Sequence, residues 1–218
     1  MNAASALHIV AAACFSLSAT HAVATATIGA EVEAYIWSDS AGNIQKIAAT
    51  RFGPFRVVAS DRAQLNGIIT SRTPDQFGAL LRAHPHIRLV DMVDCPGTDD
   101  DEANLALARM IRKAGIATYV PSGGSVRSGG VELFLAGVRR HADSAAEFAV
   151  HSWLDEDGME PDDFSEDDPV NRAYIEYYRE MGMTEEKARA FYALTNSVPH
   201  DDALYLTPQD IDAYLPLN

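Results

Sequence analysis

Ser128 precedes a glycine pair, Gly129-Gly130, and then the apolar run 131–137, which puts a hydroxyl at or just inside a helix start. Main-chain N–H groups at a helix N-terminus have no intrahelical acceptor and point toward any anion that develops there. A second reactive type follows at His151, which closes the apolar stretch Phe148-Ala149-Val150. An imidazole at a strand end can accept a hydroxyl proton near neutral pH. Together the two residues supply the nucleophile and base of a hydrolase that works through a covalent acyl intermediate. Each also has a simpler role. Ser128 could only cap its helix, worth about 1 kcal/mol, and His151 could be a packed, backbone-bonded side chain. Ser122 and Ser125 lie in the same loop and compete for the nucleophile's place.

Other reactive residues are explained more simply. Cys95 ends the strand-like run 89–95 and reads as a structural thiol beside a turn. His141 follows Arg139-Arg140 at an expected helix end, and His84 and His86 flank Pro85 in a loop. The aspartates and glutamates at 99–102 and 162–168 read as solvated turns and helix starts. No zinc, nucleotide-phosphate or dinucleotide motif occurs, so no cofactor or metal is expected.

These groups must be positioned by the elements around them. Alternating apolar patterns predict strands over 31–37, 55–59, 65–69, 87–93, 116–120 and 147–151, with 38–43 as the turn of a hairpin. Helices are expected over 73–83, 99–113 and 129–140. The helix over 99–113 has acidic residues in its first turn and Arg109, Arg112 and Lys113 near its end, as the macrodipole prefers. Strand and helix in such short alternation predict an α/β fold with a mainly parallel sheet covered by helices. Reactive groups in such sheets gather beyond the strand C-termini. Residues 95–97, 122–130 and 151–152 all fall there.

Two further helices are expected over 169–181 and 184–194. The spacing of Tyr174, Tyr177, Tyr178, Phe191 and Tyr192 there suits one packing face. Between them and His151 lies an acidic, turn-rich insertion, 154–172, which could be a lid, an assembly surface or a solvated loop. Lys and Arg number 17 against 31 Asp and Glu, a formal charge of -14. That balance excludes phosphate-backbone binding, so no nucleic-acid partner is expected. The first 24 residues carry no Lys, Arg, Asp or Glu, and 9–17 is apolar ahead of Ala22-Val23-Ala24. This predicts a cleaved signal peptide, a periplasmic or secreted domain over 25–218, and no stable membrane span. Loss of the leader would leave Cys95 alone, hence no internal disulfide.

Three segments, 97–100, 128–137 and 150–153, together resemble the Clp-type and signal-peptide-peptidase-type serine peptidases of the crotonase-like superfamily, and an uncharacterised periplasmic branch of that group most. The looser match runs over 53–216, and 87–153 carries its specificity. The resemblance implies repeated β-β-α units with added C-terminal helices, Ser128 as nucleophile and His151 as general base. It also implies an oxyanion hole from the N–H groups of Gly97 and Gly129, with Thr98 where the family has a second glycine. For the residue that orients the histidine it implies Asp202, with Asp201 and Asn196 behind it. The lysine base of the membrane-bound relatives has no counterpart, because Lys113 lies at the wrong end of its helix. The implied substrate is a peptide or a small amide or ester, and the implied assembly a homo-oligomer. The alternative is a non-catalytic periplasmic binding or assembly protein that keeps the fold.

Overall fold

The computed structural model describes residues 23–25, 31–38 and 44–218, with side chains from residue 50 onward. Most of the expected leader, with Cys14, lies outside the described residues.

The chain opens as a meander: β1 (Val23–Thr25), β2 (Glu31–Ser38), β3 (Ile44–Phe52), β4 (Phe55–Ala59) and β5 (Arg62–Asn66), each antiparallel to the next. The hairpin expected between 31–37 and 55–59 is corrected here. The partner of β2 is β3, paired from Glu31↔Arg51 to Ser38↔Ile44. The stretch 44–51 mixes apolar and polar types without the alternation that marks a strand, so its sequence does not announce one. Phe52 then pairs Phe55 across Gly53-Pro54, and Gly53 takes the positive φ of 58° that so short a hairpin requires.

Beyond β5 the connections become crossovers. Helix α1 (Thr73–Ala83) leads to β6 (Leu89–Cys95), and α2 (Asp101–Lys113) leads to β7 (Ala117–Val120). Then come β8 (Ser125–Arg127), α3 (Gly129–Leu135), β9 (Arg140–Ala142) and β10 (Glu147–Val150). Strand β6 is a fork. Its first half, Leu89 to Asp91, pairs β7, and its end, Asp94-Cys95, pairs β8. From that fork one arm continues to β9 and the other to β10, all in parallel. The turn at 121–124 sends the chain from one arm to the other, closed by Gly124 N–H donating to the Pro121 carbonyl at 2.8 Å.

The expectation of a mainly parallel sheet is therefore corrected to a mixed one. Its centre is parallel, whereas the meander and the last strand, β11 (Leu204–Leu206) on β10, are antiparallel. Helix α3 also ends five residues before the expected 140. A Cβ at Gly137 would lie 2.2 Å from Thr118 Oγ1, so the chain crosses β7 there too closely for a helix to continue. Arg140 then joins β9.

The C-terminal part holds α4 (Pro169–Glu180), α5 (Glu185–Thr195) and α6 (Pro208–Tyr214), the last opened by a reciprocal cap between Thr207 and Asp210. Tyr177, Tyr178 and Phe191 are fully buried and join one apolar core with Phe134, Phe148 and Leu133. No helix among the described residues is long and apolar enough to cross a membrane.

Candidate active site

Strands β8 and β10 are parallel neighbours with Arg127 opposite Ala149, and their C-terminal ends deliver Ser128 and His151 side by side. Ser128 N–H donates to the Ala149 carbonyl at 2.8 Å, which ties the two ends together. Across the strands, Arg127 pairs Asp94 at 3.1 Å and reaches Glu147 at 4.0 Å. The register that brings hydroxyl and imidazole together is thus held from both sides.

Ser128 adopts φ 49° and ψ -133°, the one positive φ at a non-glycine among the described residues. Such a backbone costs a side-chain-bearing residue about 1–3 kcal/mol and persists only where the surroundings impose it. Its hydroxyl does not cap α3, although Ser128 stands in the capping position. The simple capping role is therefore excluded. The competing serines are placed elsewhere: Ser125 donates to Glu147 at 2.8 Å, and Ser122 is exposed at the turn before β8. Ser128→Gly should accordingly be more stable than Ser128→Ala by about 1–3 kcal/mol. Urea unfolding measures this, and equal stabilities would show a relaxed backbone.

His151 points Nδ1 at the Ser152 carbonyl, 2.8 Å away. A carbonyl can only accept, so Nδ1 carries the proton and Nε2 keeps its lone pair. The same carbonyl takes His200 Nδ1 at 3.0 Å, and the two rings meet edge-on with centroids 4.7 Å apart. The expected orienting residue, Asp202, is corrected by this arrangement. Its carboxylate is exposed and accepts from Ala203 N–H at 2.7 Å. Asn196 turns its amide to the Tyr192 carbonyl, and Asp201 is exposed. Among the described residues no carboxylate pairs with His151, and no hydrogen bond joins it to Ser128. The loop carrying these residues does reach the imidazole, because Ser152 N–H bonds the Val198 carbonyl at 3.0 Å. It arrives there with His200.

Gly97 packs directly on Ser128, since a Cβ on it would lie 2.9 Å from Ser128 Cβ. Its φ of 130° also requires glycine. Its N–H, however, serves the Cys95 sulfur, a bond that partly offsets the burial raising that thiol to about 12. Cys95 is accordingly an inert buried thiol. The next residue is better placed as an anion donor. Ile69 pairs this strip through the Gly97 carbonyl and the Asp99 N–H, both at 3.0 Å. Alternation then turns Thr98 N–H to the opposite edge. Thr98 lies against Gly129, whose N–H opens α3 without an intrahelical acceptor: a Cβ on Gly129 would be 2.7 Å from Thr98 Cγ2.

Ser128 and His151 line two adjoining cavities. An open crevice of about 500 Å³ has Thr98, the aspartates 99–101, Asp155, Glu156 and His200 on its walls. The start of the acidic insertion thus forms part of the crevice wall. The insertion is tied down by Glu160, which accepts His200 N–H at 2.7 Å. A narrow second cavity runs under Ser128 and Gly129 to Tyr174, Tyr178 and Tyr192. These tyrosines therefore do more than fill the core, which their helical spacing did not reveal.

No family model and no curated protein sequence matches the chain. Among solved structures, a ClpP1 mutant from Listeria monocytogenes is similar at 16% identity and a TM-score of 0.53, covering 73% of this chain and 90% of that one. A membrane protease from Pyrococcus horikoshii, 1510-N, specific for a stomatin homolog, is similar at 19% identity and a TM-score of 0.47, covering 71% and 69%. At these identities the likeness concerns the backbone alone, and it is carried by the first of the two. The chain has an α/β fold related to that of the ClpP peptidase.

Proposed function

We propose that the chain is a serine-type hydrolase, a peptidase or amidase, that acts through an acyl-enzyme on Ser128. The observation that carries this is the strained, uncapped Ser128 at a helix start, beside an imidazole whose Nε2 is left free to accept a proton. In the first step Ser128 Oγ attacks the substrate carbonyl carbon and its proton passes to His151 Nε2. The carbonyl oxygen becomes an oxyanion facing the N–H groups of Gly129 and Thr98. As the C–N or C–O bond breaks, His151 returns the proton to the leaving group. Water then repeats the sequence on the ester and restores Ser128. Gly97 serves by its closeness to the nucleophile, while the Ser152 carbonyl sets the tautomer.

The resemblance of 97–100, 128–137 and 150–153 supports membership of the crotonase-like superfamily and its periplasmic branch. The forked sheet suits that placement. The apolar, uncharged start supports export, with 25–218 as the mature domain, and the helical pair α4–α5 could join protomers of a homo-oligomer.

A fluorophosphonate probe tests the reading. Stoichiometric labelling of the folded chain, lost in Ser128→Ala, is the expected result. A folded, assembled sample that takes no label would overturn it and favour a binding or assembly protein, the alternative suggested by His151 having no carboxylate behind it among the described residues.

A further inference from the structure

The open crevice at Ser128 and His151 carries fixed charge of one sign. Asp99, Asp100 and Asp101 line it from the start of α2, and Asp155 and Glu156 line it from the insertion, with no lysine or arginine on its walls. A net charge of -14 makes acidic surface common on this chain, so the carboxylates alone decide nothing. Their lack of cationic partners does. Elsewhere the arginines take up acid groups: Arg62 pairs Asp91 at 2.7 Å, Arg109 pairs Glu180 at 2.7 Å, and Arg189 pairs Glu185 at 2.8 Å. None of the crevice carboxylates has a lysine or arginine partner among the described residues. Asp100 and Asp155 are instead fixed by main-chain N–H groups, from Ala103 at 2.9 Å and from Met159 at 2.8 Å.

The same crevice has an apolar part. Leu154, 43% exposed, lines it beside Trp153. The Trp153 ring is held by its Nε1–H, which donates to the Tyr192 hydroxyl at 2.8 Å. An open leucine and a fixed indole next to unpaired carboxylates fit a side chain with an aliphatic stem and a positive head.

We propose that the crevice selects peptides with lysine or arginine beside the bond that is cut, the stem on Trp153 and Leu154 and the head among Asp99, Asp155 and Glu156. This rests on the hydrolase reading above and names its substrate class. Norleucine keeps the stem of lysine without the charge, and glutamate brings a like charge to the acidic wall. A cleft lined by one sign of charge concentrates substrates of the other. Exposed carboxylates are screened by salt, so the preference must weaken as salt is added.

The experiment uses the full chain and internally quenched peptides whose two central residues are both lysine, both norleucine or both glutamate, with mass spectrometry locating the cut. The lysine peptide is expected to exceed the norleucine peptide in kcat/KM by about 10-fold or more at low salt, with the glutamate peptide lowest. The ratio should fall toward one between about 0.01 M and about 1 M salt. Asp99→Asn combined with Glu156→Gln should lower the low-salt ratio about threefold or more. Asp61→Asn combined with Glu186→Gln removes the same charge outside the crevice and should change the ratio by less than about twofold. If the crevice variant does not fold, the wild-type ratio and its salt dependence decide. Norleucine equal to or better than lysine, no cleavage of the lysine peptide, or an equal fall in the control variant overturns the preference while fluorophosphonate labelling of Ser128 still stands. Absence of labelling overturns the hydrolase reading itself, so the two failures are told apart.

Discussion

His151→Ala is expected to lower kcat/KM for ester or peptide hydrolysis about 10⁴-fold, with the fold intact. The imidazole is half-buried at the mouth of the site, and its Nδ1–H is held by a main-chain carbonyl, so its removal opens little core. What is lost is the acceptor for the Ser128 proton. Residual activity would come from the main-chain N–H groups of Gly129 and Thr98, which do not depend on the imidazole. The design also sets a ceiling. A carbonyl fixes the tautomer as a carboxylate would, but it carries no full charge to stabilise the imidazolium that forms. The acid groups on the crevice wall act through solvent and are screened. A slow hydrolase follows. His200 is the internal control, because it shares the Ser152 carbonyl and meets His151 edge-on, yet it reaches the crevice from the opposite loop. His200→Ala should cost about 10-fold or less through the aim of His151. Steady-state kinetics on the three chains decides. If His151→Ala keeps activity within tenfold and His200→Ala does not, the base has been assigned to the wrong histidine.

The chemistry was legible where residue type and local pattern coincide. Ser128 was visible through the glycines and apolar run after it, and His151 through the strand before it. Helix α1 was legible to its ends because Thr73-Pro74-Asp75 marks its start and His84-Pro85 its stop. Long-range geometry was not legible. Strands β8, β9 and β11 span three residues each, too few for an alternation to show. Whether β6 pairs one neighbour or forks between two depends on twist and on the turn at 121–124, which no local pattern encodes. The third member of the site failed for the same reason. The resemblance pointed to 196–202, but which side chain of that loop meets the imidazole depends on how Ser152 and Val198 pair. The tie between Asn104 and the start of α3 was equally hidden, because on α2 it reads as one polar residue among many. Only contact with the Gly129 carbonyl distinguishes it.

Glu132→Gln is expected to stabilise the chain by about 3 kcal/mol above pH 7 and to leave it nearly unchanged near pH 4. The carboxyl is 6% exposed in the first turn of α3. Burial, helped by Asp101 from α2, raises it from 4.5 to about 7, against the opposing bonds from Tyr178 and the main chain. The other groups beside it are the hydroxyls of Tyr174, Tyr177 and Tyr178, all raised well above 10 and therefore neutral, and His151 across the cavity. Because the folded value exceeds the unfolded one, the folded state holds the extra proton between them. Stability from this group is complete below about pH 4.5 and is lost as pH rises through about 7. Glutamine removes the titration while its carbonyl still accepts from Tyr178, so urea unfolding of wild type and variant should diverge across that window. A constant difference at both ends would mean that Glu132 does not titrate there. The residue works against stability at neutral pH, and its position explains where the compensation lies. It sits on the turn that presents Ser128, in the wall of the cavity that also holds Asn104. Strongly perturbed groups concentrate where a fold concentrates its reactive residues, and this one stands in the first turn of the helix that Ser128 precedes.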